Sequence, residues 1–357
     1  MVTPEIKIPF DQDEMTVLDH YPGFMPGEQG LPIYKTPIQP VENIKMFLAD
    51  EKPLWMPSSY EMLMFNPDII PDNIARAMVI QQNPFFPESV YNKDYFGIEW
   101  EFVPSARGST VRPGKPFLDD VTEWEKKVVF PDVSKWDWAG CLAKNKEFLN
   151  DRRAIKMTIF TGFFERLISF VDMTPALLAM IDEDEQAAVH GLFDRLCYFY
   201  DDLLYQMAKW FQPDLIWFHD DWGSQRAPLF SYDTCHEMVM PYLRRVVDSA
   251  HKYGIGFEFH CCGNDELLVP CMIEAGVDLW AGQTMNNKEM LYKEYGKDIK
   301  LGVEPAMLPP ETPDEVLKDE VKKFLDTYPE NCYVAMQFGM DPRYFTYIYE
   351  ESRKRYN

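Results

Sequence analysis

From about residue 156 the chain alternates short β-branched or aromatic runs with longer stretches of helical periodicity. The runs are KMTIF (156–160), DLIWFHDD (214–221), GIGFEFHCC (254–262), VDLWAGQ (277–283), IKLGVEP (299–305) and CYVAMQFGMD (332–341). Between them, apolar positions recur at helical spacing over 186–210, 232–253 and 313–328. Ser231 reads as the N-cap of the second helical stretch and Gly254 as its stop. Strand alternating with helix predicts parallel strands joined by crossover helices. Two upstream runs, KPLWMP (52–57) and FGIEWEFV (96–103), bring the expected strands to eight, the number in a (β/α)8 TIM barrel. A doubly wound sheet with extra elements shows the same alternation, so counting leaves both α/β architectures open.

The N-terminal third lacks this regularity. Prolines at 4, 9, 22, 26, 32, 37 and 40 punctuate it, and loop-like stretches recur at 83–87 and 108–116. Residues 1–40 therefore read as an irregular N-terminal extension and 41–357 as one barrel domain, with no shift of composition marking an internal boundary. Short helical starts are expected at 124–127 and 133–136.

Composition narrows the partners. The 357 residues carry 35 Lys+Arg against 58 Asp+Glu, a formal charge of −23. That charge argues against nucleic acid or an anionic membrane as partner, since both require concentrated positive charge. The first thirty residues hold six acidic side chains and no continuous apolar run, so no secretory signal is expected. No stretch approaches the roughly 18–20 apolar residues of a membrane span. Cysteines at 141, 197, 235, 261, 262, 271 and 332 are an odd number in a chain with ample core. Reduced thiols and a cytoplasmic location are expected.

Chemistry-bearing residues gather where the strands should end. The run at 214–218 leads into His219, Asp220, Asp221, Gly223 and Gln225; the next ends in Glu258, His260, Cys261, Cys262 and Asn264. The later ones end in Gln283, in Glu304, and in Gln337, Met340 and Asp341. In a parallel barrel these converge on one mouth, although helix N-terminal turns favour Asp, Asn and Gly in any case.

His260-x-Cys262 is the sharpest feature. Residues i and i+2 of a strand share a face, so an imidazole and a thiolate there suit one zinc ion, while Cys261 faces the opposite side. A buried cysteine beside a hydrogen-bonded histidine has the same spelling, and the residues alone leave both readings open. His219-Asp220-Asp221 reads either as a general acid of raised pKa or hard ligand, or as an Asp helix cap beside a solvated His. Trp55, Met56, Tyr60, Met62, Met64 and Phe65 form an apolar-aromatic patch. Such patches are usually core; the other reading is a lining for a flat aromatic ligand. No serine-hydrolase elbow, P-loop or GxGxxG fingerprint occurs.

Asp220-Asp221-Trp222-Gly223-Ser224-Gln225, the Pro241-to-His251 stretch and His260-Cys261-Cys262-Gly263 together resemble the uroporphyrinogen decarboxylase superfamily, especially its cobalamin-dependent methyltransferase branch. The likeness runs through AGVDLWAGQ and IKLGVEP to the last strand. It reaches back more weakly to KPLWMP and to Asp94-Tyr95-Phe96-Gly97, covering most of the chain from about residue 40. It implies one distorted (β/α)8 barrel. True decarboxylases carry paired arginines after the first strand, where this chain reads Met56-Pro57-Ser58-Ser59-Tyr60. Without those charges a poly-carboxylate would be desolvated at great cost.

In the methyltransferase branch the H-x-C pair resembles two zinc ligands, with a third cysteine near the end of the last strand in thiol-methylating members. Met340 stands at that place here, and Cys332 lies eight residues earlier. A thioether is a poor zinc ligand, so either a carboxylate completes the set (Glu304, then Asp221, then Glu258) or zinc is absent. The resemblance thus implies a methyltransferase moving a methyl group from a small methoxylated, aryl methyl ether substrate to the cob(I)alamin of a separate corrinoid protein. Asp221, His219, Glu304 and Asp94 are its expected catalytic residues. Trp55, Met56, Tyr60, Phe96, Gln225, Gln283 and Met340 are expected to bind substrate, and His260, Cys262 and Glu304 to hold zinc. Methyl transfer from a methylcobamide to a thiol, a decarboxylase-type lyase, and a non-catalytic ligand-binding barrel are the alternatives.

Overall fold

The structure is a computed structural model that describes residues 8–22, 29–84, 91–104, 108–335, 337 and 339–356. Pro4, Pro26, residues 85–87 of an expected loop, and Phe338 lie outside the described residues. Twelve strands are described: β1 (Val17–Pro22), β2 (Gln29–Tyr34), β3 (Met62–Met64), β4 (Tyr91–Lys93), β5 (Glu99–Val103), β6 (Gly108–Val111), β7 (Ala154–Ile159), β8 (Leu215–His219), β9 (Gly256–His260), β10 (Leu279–Trp280), β11 (Lys300–Val303) and β12 (Cys332–Val334). The chain forms two compact units. A terminal unit comprises Met1–Met62, Arg152–Ala154 and Lys288–Asn357, and a central unit comprises Leu63–Asp151 and Ile155–Asn287.

In the central unit β7, β8, β9 and β10 pair in parallel, with Ile159 opposite Phe218, His219 opposite His260, and Leu279 opposite Glu258. β3 borders β7, where Phe65 N–H donates to Lys156 O. Helices Phe163–Val171, Gln186–Phe211 and Met240–Lys252 alternate with these strands, the arrangement of an α/β barrel. On β8, Ile216 and Phe218 face away from Trp217 and His219; on β9, Phe257 and Phe259 face away from Glu258 and His260. Phe218 packs against Phe257 and Phe259 at ring distances of 5.5 and 6.4 Å, which makes one side of the sheet uniformly apolar. The other side is polar. Buried Lys156 pairs with Glu258 at 3.1 Å, and its ammonium lies 5.7 Å from the Trp217 ring.

The helices follow their sequence signals. Ser231 accepts the Thr234 N–H as an N-cap, and Gly254 takes the left-handed φ of 75° that ends the helix. The stretch expected as one helix at 232–253 is two, Tyr232–Met238 and Met240–Lys252, with Pro241 in the first turn of the second.

Both upstream strand expectations are corrected. FGIEWEFV supplies β5, which pairs antiparallel with β4 and β6 in a separate three-stranded sheet. The GSTV segment of the expected 108–116 loop is β6 itself. KPLWMP forms no strand. Its backbone is satisfied largely by side chains instead: Leu54 N–H donates to Asn43 Oδ1 at 2.7 Å, Asn43 Nδ2 donates to Trp55 O at 3.1 Å, and Met56 N–H donates to Ser352 Oγ at 3.1 Å. Only Ser58, just beyond it, makes an isolated parallel bridge, with Val334.

The terminal unit contains the β1–β2 hairpin, helix Pro40–Leu48, the parallel β11–β12 pair and helices Lys288–Tyr295, Asp314–Thr327 and Arg343–Arg355. Leu54, Trp55 and Tyr349 form a cluster on which Ile8, Met15, Tyr34 and Ile38 pack. Fully buried Arg353 binds Glu14 through Nε and Nη2 at 2.8 and 2.7 Å, tying the last helix to residues near the N-terminus. No helix among the described residues is long and apolar enough to cross a membrane.

The central unit carries a second buried arginine. Arg166 Nη2 binds Asp72 at 2.6 Å and Nη1 binds Asp94 at 2.5 Å, all three side chains being almost wholly out of solvent. Removing the arginine would leave two buried carboxylates without their counter-charge. Arg166→Met should lower unfolding stability by about 3–5 kcal/mol, read from urea denaturation. A loss below about 1 kcal/mol would contradict this account.

Candidate active site

His219 and His260 are the last residues of adjacent parallel strands and sit opposite each other in register. Their rings lie 5.2 Å apart at an interplanar angle of 29°. Cys262, two residues past the strand end, returns to the face of His260. Its Sγ lies 3.6 Å from His260 Nε2 and 3.9 Å from His219 Nε2. The ligand atoms of these three residues all lie within 4.8 Å of one another. Glu165, His219 and Asp221 form an overlapping group of the same tightness.

Each imidazole is fixed from behind. His260 Nδ1 is 2.7 Å from Ala281 O, an acceptor, so this nitrogen carries the proton and Nε2 keeps its lone pair. His219 Nδ1 lies 2.7 Å from Glu165 Oε2, which orients that ring in the same way. Two Nε2 atoms and one sulfur therefore face a common point, each ring backed by an acceptor. That is the donor arrangement of a metal-binding histidine pair, and the residues fit a mixed nitrogen–sulfur site. Burial works against a proton on His219, yet the carboxylates of Glu165 and Asp221 outweigh it and raise the imidazole well above its usual range. Any cation at Nε2 gains from the same two carboxylates.

Asp220 and Asp221, adjacent in sequence, do different work. Asp220 accepts the N–H groups of Phe164 and Glu165 at 3.0 and 2.8 Å, and Trp222 Nε1 at 2.9 Å. It thereby caps helix Phe163–Val171 and sets Glu165 against His219. Burial, with Glu165 nearby, pushes its carboxyl up to about 7. Asp221 accepts Cys262 N–H at 3.0 Å and lies 3.5 Å from His219 Nε2. Burial raises its carboxyl, but His219 and Arg76 more than compensate and leave it lowered. The carboxyl of raised pKa is thus the helix cap, and Asp221 serves as fixed negative charge.

The turn after Cys262 is pinned from three sides. Gly263 N–H donates to Gln283 Oε1 at 2.8 Å, Asn286 Nδ2 donates to Gly263 O at 2.9 Å, and Asn264 N–H donates to Ser224 O at 2.7 Å. Gly263 has a left-handed φ of 99°, and a Cβ there would lie 2.4 Å from the backbone carbon of Gly223. Only glycine allows so close an approach, which explains a glycine in each of the two motifs. Cys261 is buried on the opposite side, its sulfur accepting Trp222 N–H at 2.9 Å.

The remaining expected site residues belong to neither ligand group. Glu304 belongs to neither ligand group; it lies 3.8 Å from the Lys288 ammonium in the terminal unit, and burial raises its carboxyl. The residue that groups with His260 and Cys262 is His219, where a carboxylate was expected. Glu258 is committed to Lys156. Asp94 is taken up by Phe96 and Ile98 N–H, Trp100 Nε1 and Arg166, which makes it a buried anchor. Phe96 lies over the Arg166 guanidinium at 4.9 Å. Gln225 is exposed, Gln283 holds the Gly263 turn, and Met340 is buried in the terminal unit. Trp55, Met56 and Tyr60 line a cleft of the terminal unit.

Three further residues belong to the site. Glu165 orients His219, and Arg76 Nη1 holds Glu165 at 2.9 Å while its guanidinium lies 4.7 Å from the Trp100 ring centre. Trp217 stands 5.0 Å from the His260 ring and 6.2 Å from Phe160, and its buried Nε1 has no hydrogen-bond partner among the described residues. An aromatic wall with one free donor therefore flanks the ligand atoms. The signal for Trp217 was its spacing, two residues before His219 on one strand face.

No family model matches the sequence, and no curated protein matches it. Among solved structures, a methyltransferase from Methanosarcina mazei aligns with a TM-score of 0.59 at 14% identity, covering 88% of this chain and 98% of that one. A sugar phosphate isomerase/epimerase from Parabacteroides distasonis aligns at 9% identity and a TM-score of 0.33, covering 67% of this chain and 79% of that one. A xylose isomerase-like TIM barrel protein from Mycobacterium smegmatis aligns at 10% identity and 0.34, covering 60% and 78%. The first likeness shows a shared fold, and the class is an α/β barrel.

Of the seven cysteines, Cys262 alone is half-buried and the other six are buried. Limiting iodoacetamide on the native protein should therefore label Cys262 first, as read by peptide mass spectrometry. Preferential labelling of any other cysteine would contradict the site geometry.

Proposed function

We propose that this chain is a methyltransferase that takes a methyl group from a small methoxylated aromatic compound and delivers it to the cob(I)alamin of a separate corrinoid protein. The observation that carries the reading is the convergence of His219 Nε2, His260 Nε2 and Cys262 Sγ beside the Trp217–Phe160 wall. The motif resemblance and the fold likeness support the methyltransferase class.

His219, His260 and Cys262 would hold zinc, which supplies a Lewis acid for the ether oxygen as the methyl–oxygen bond breaks. Glu165 and the Ala281 carbonyl hold the Nδ1 side of both imidazoles, so that Nε2 is the nitrogen turned to the ion, which on His219 would take the place of a proton. Asp221 fixes the Cys262 backbone and sets the local charge. The Trp217 and Phe160 rings would flank a methoxyarene, and Trp217 Nε1 would donate to a ring substituent. The methyl group would pass from oxygen to the reduced cobalt of the corrinoid partner, and the phenolate left behind would take its proton from water.

A second imidazole in place of a second thiolate favours this direction over thiol methylation. Each thiolate adds a negative charge that weakens the Lewis acidity of the ion, so a set with one sulfur better stabilises a departing oxygen. No arginine pair stands at Met56–Tyr60 for a poly-carboxylate substrate.

Incubation of zinc-loaded protein with cob(I)alamin and a panel of aryl methyl ethers should produce methylcobalamin, followed by its absorbance. His219→Ala and Cys262→Ala should each reduce the rate roughly 100-fold or more. No methylcobalamin from any ether would overturn the reading, and methylation of a thiol from methylcobalamin would point to the reverse transfer.

A further inference from the structure

A cleft within the terminal unit contains none of the three ligand residues. Its lining includes Tyr34, Trp55, Tyr60, Phe345 and Tyr349, with Glu61 among them. The rings brace one another: Tyr34 stacks on Tyr349 at 5.6 Å, Trp55 meets Tyr349 at 5.4 Å, and Tyr60 meets Phe345 edge-on at 4.1 Å. Their polar tips are tied back. Tyr34 Oη bonds Thr346 Oγ1 at 2.6 Å, and Tyr349 Oη donates to Glu14 Oε2 at 2.8 Å. What remains for an occupant is mostly carbon and π surface, with the Tyr60 hydroxyl and one carboxyl group.

Glu61 is the anomaly. Oε1 accepts Trp55 Nε1 at 2.7 Å and Oε2 accepts Ser58 N–H at 3.0 Å, both neutral donors. Among the described residues no cationic side chain pairs with it, and burial pushes its carboxyl up to about 8. The capping box with Ser58 explains an acceptor at this position. It does not explain a carboxyl set in an aromatic lining, where burial keeps it largely protonated at neutral pH until a cation faces it.

We propose that this cleft binds a small N-methylated ammonium ion, with the aromatic rings giving cation–π contact and Glu61 the counter-charge. The chemistry selects that class of cation. A hard metal ion needs several oxygen ligands, and the cleft presents one carboxylate. A methylated ammonium is weakly hydrated, gains from ring faces within about 6 Å, and suits the apolar remainder of the lining at Met56 and Ile348. The inference stands apart from the methyl-transfer reading, since it uses none of the ligand residues of the central unit.

The test is calorimetric titration of the full chain with choline and with its neutral isostere 3,3-dimethylbutan-1-ol at constant ionic strength. Choline should bind saturably and roughly tenfold or more tighter than the isostere, and quench Trp55 fluorescence. Glu61→Gln and Tyr60→Leu should each weaken choline about tenfold while leaving the isostere unchanged. Equal affinity for the two compounds, or no saturable choline binding in the millimolar range, would overturn the proposal. The wild-type comparison decides the matter even if one variant fails to fold.

Discussion

The hydrogen bond from His219 Nδ1 to Glu165 Oε2 at 2.7 Å governs what the strand ends of the central unit can do. It turns Nε2 of His219 toward His260 and Cys262, so that three donors face one point. The bond exists because Asp220 caps the helix that carries Glu165, and because Arg76 holds the other carboxylate oxygen. Without this support His219 would be a buried histidine beside a thiol, and the H-x-C pair would have no third partner on its own sheet face.

That arrangement divides charge between neighbouring residues. Glu165 points to the site, while Arg166, the next residue on the same helix, turns to Asp72 and Asp94. The helix start is thereby fixed by opposite charges on two sides. Burying so many ionised groups contributes little net stability; its effect is to hold one geometry, since any shift of the helix would strand a carboxylate. The same logic applies below the site, where Lys156 and Glu258 pair across the polar face of the sheet.

Much of this was legible in the sequence, and the exceptions have identifiable causes. The parallel strands from 154 onward appeared as apolar runs because both their faces are covered, and Ser231 and Gly254 marked helix ends by local chemistry. KPLWMP misled because a buried segment satisfied by side chains such as Asn43 and Ser352 looks, in composition, like one satisfied by a neighbouring strand. FGIEWEFV is a strand, but pairing direction is not written in a single run. The H-x-C pair was readable from period two alone. Its third partner was not, since Glu165 and His219 lie 54 positions apart, yet His219 and His260 each end a strand and parallel register brings such ends together. Glu304 and Asp94 were expected by resemblance and position, and their charges are engaged by Lys288 and Arg166.

The account's central claim is that His219, His260 and Cys262 form one metal-binding set. X-ray absorption on the zinc-loaded protein tests it most directly. The account predicts one sulfur scatterer at about 2.3 Å and two imidazole nitrogens at about 2.0–2.1 Å, with the sulfur shell lost in Cys262→Ser and one imidazole lost in His219→Ala. A spectrum without sulfur, or one unchanged by the His219 substitution, would contradict it.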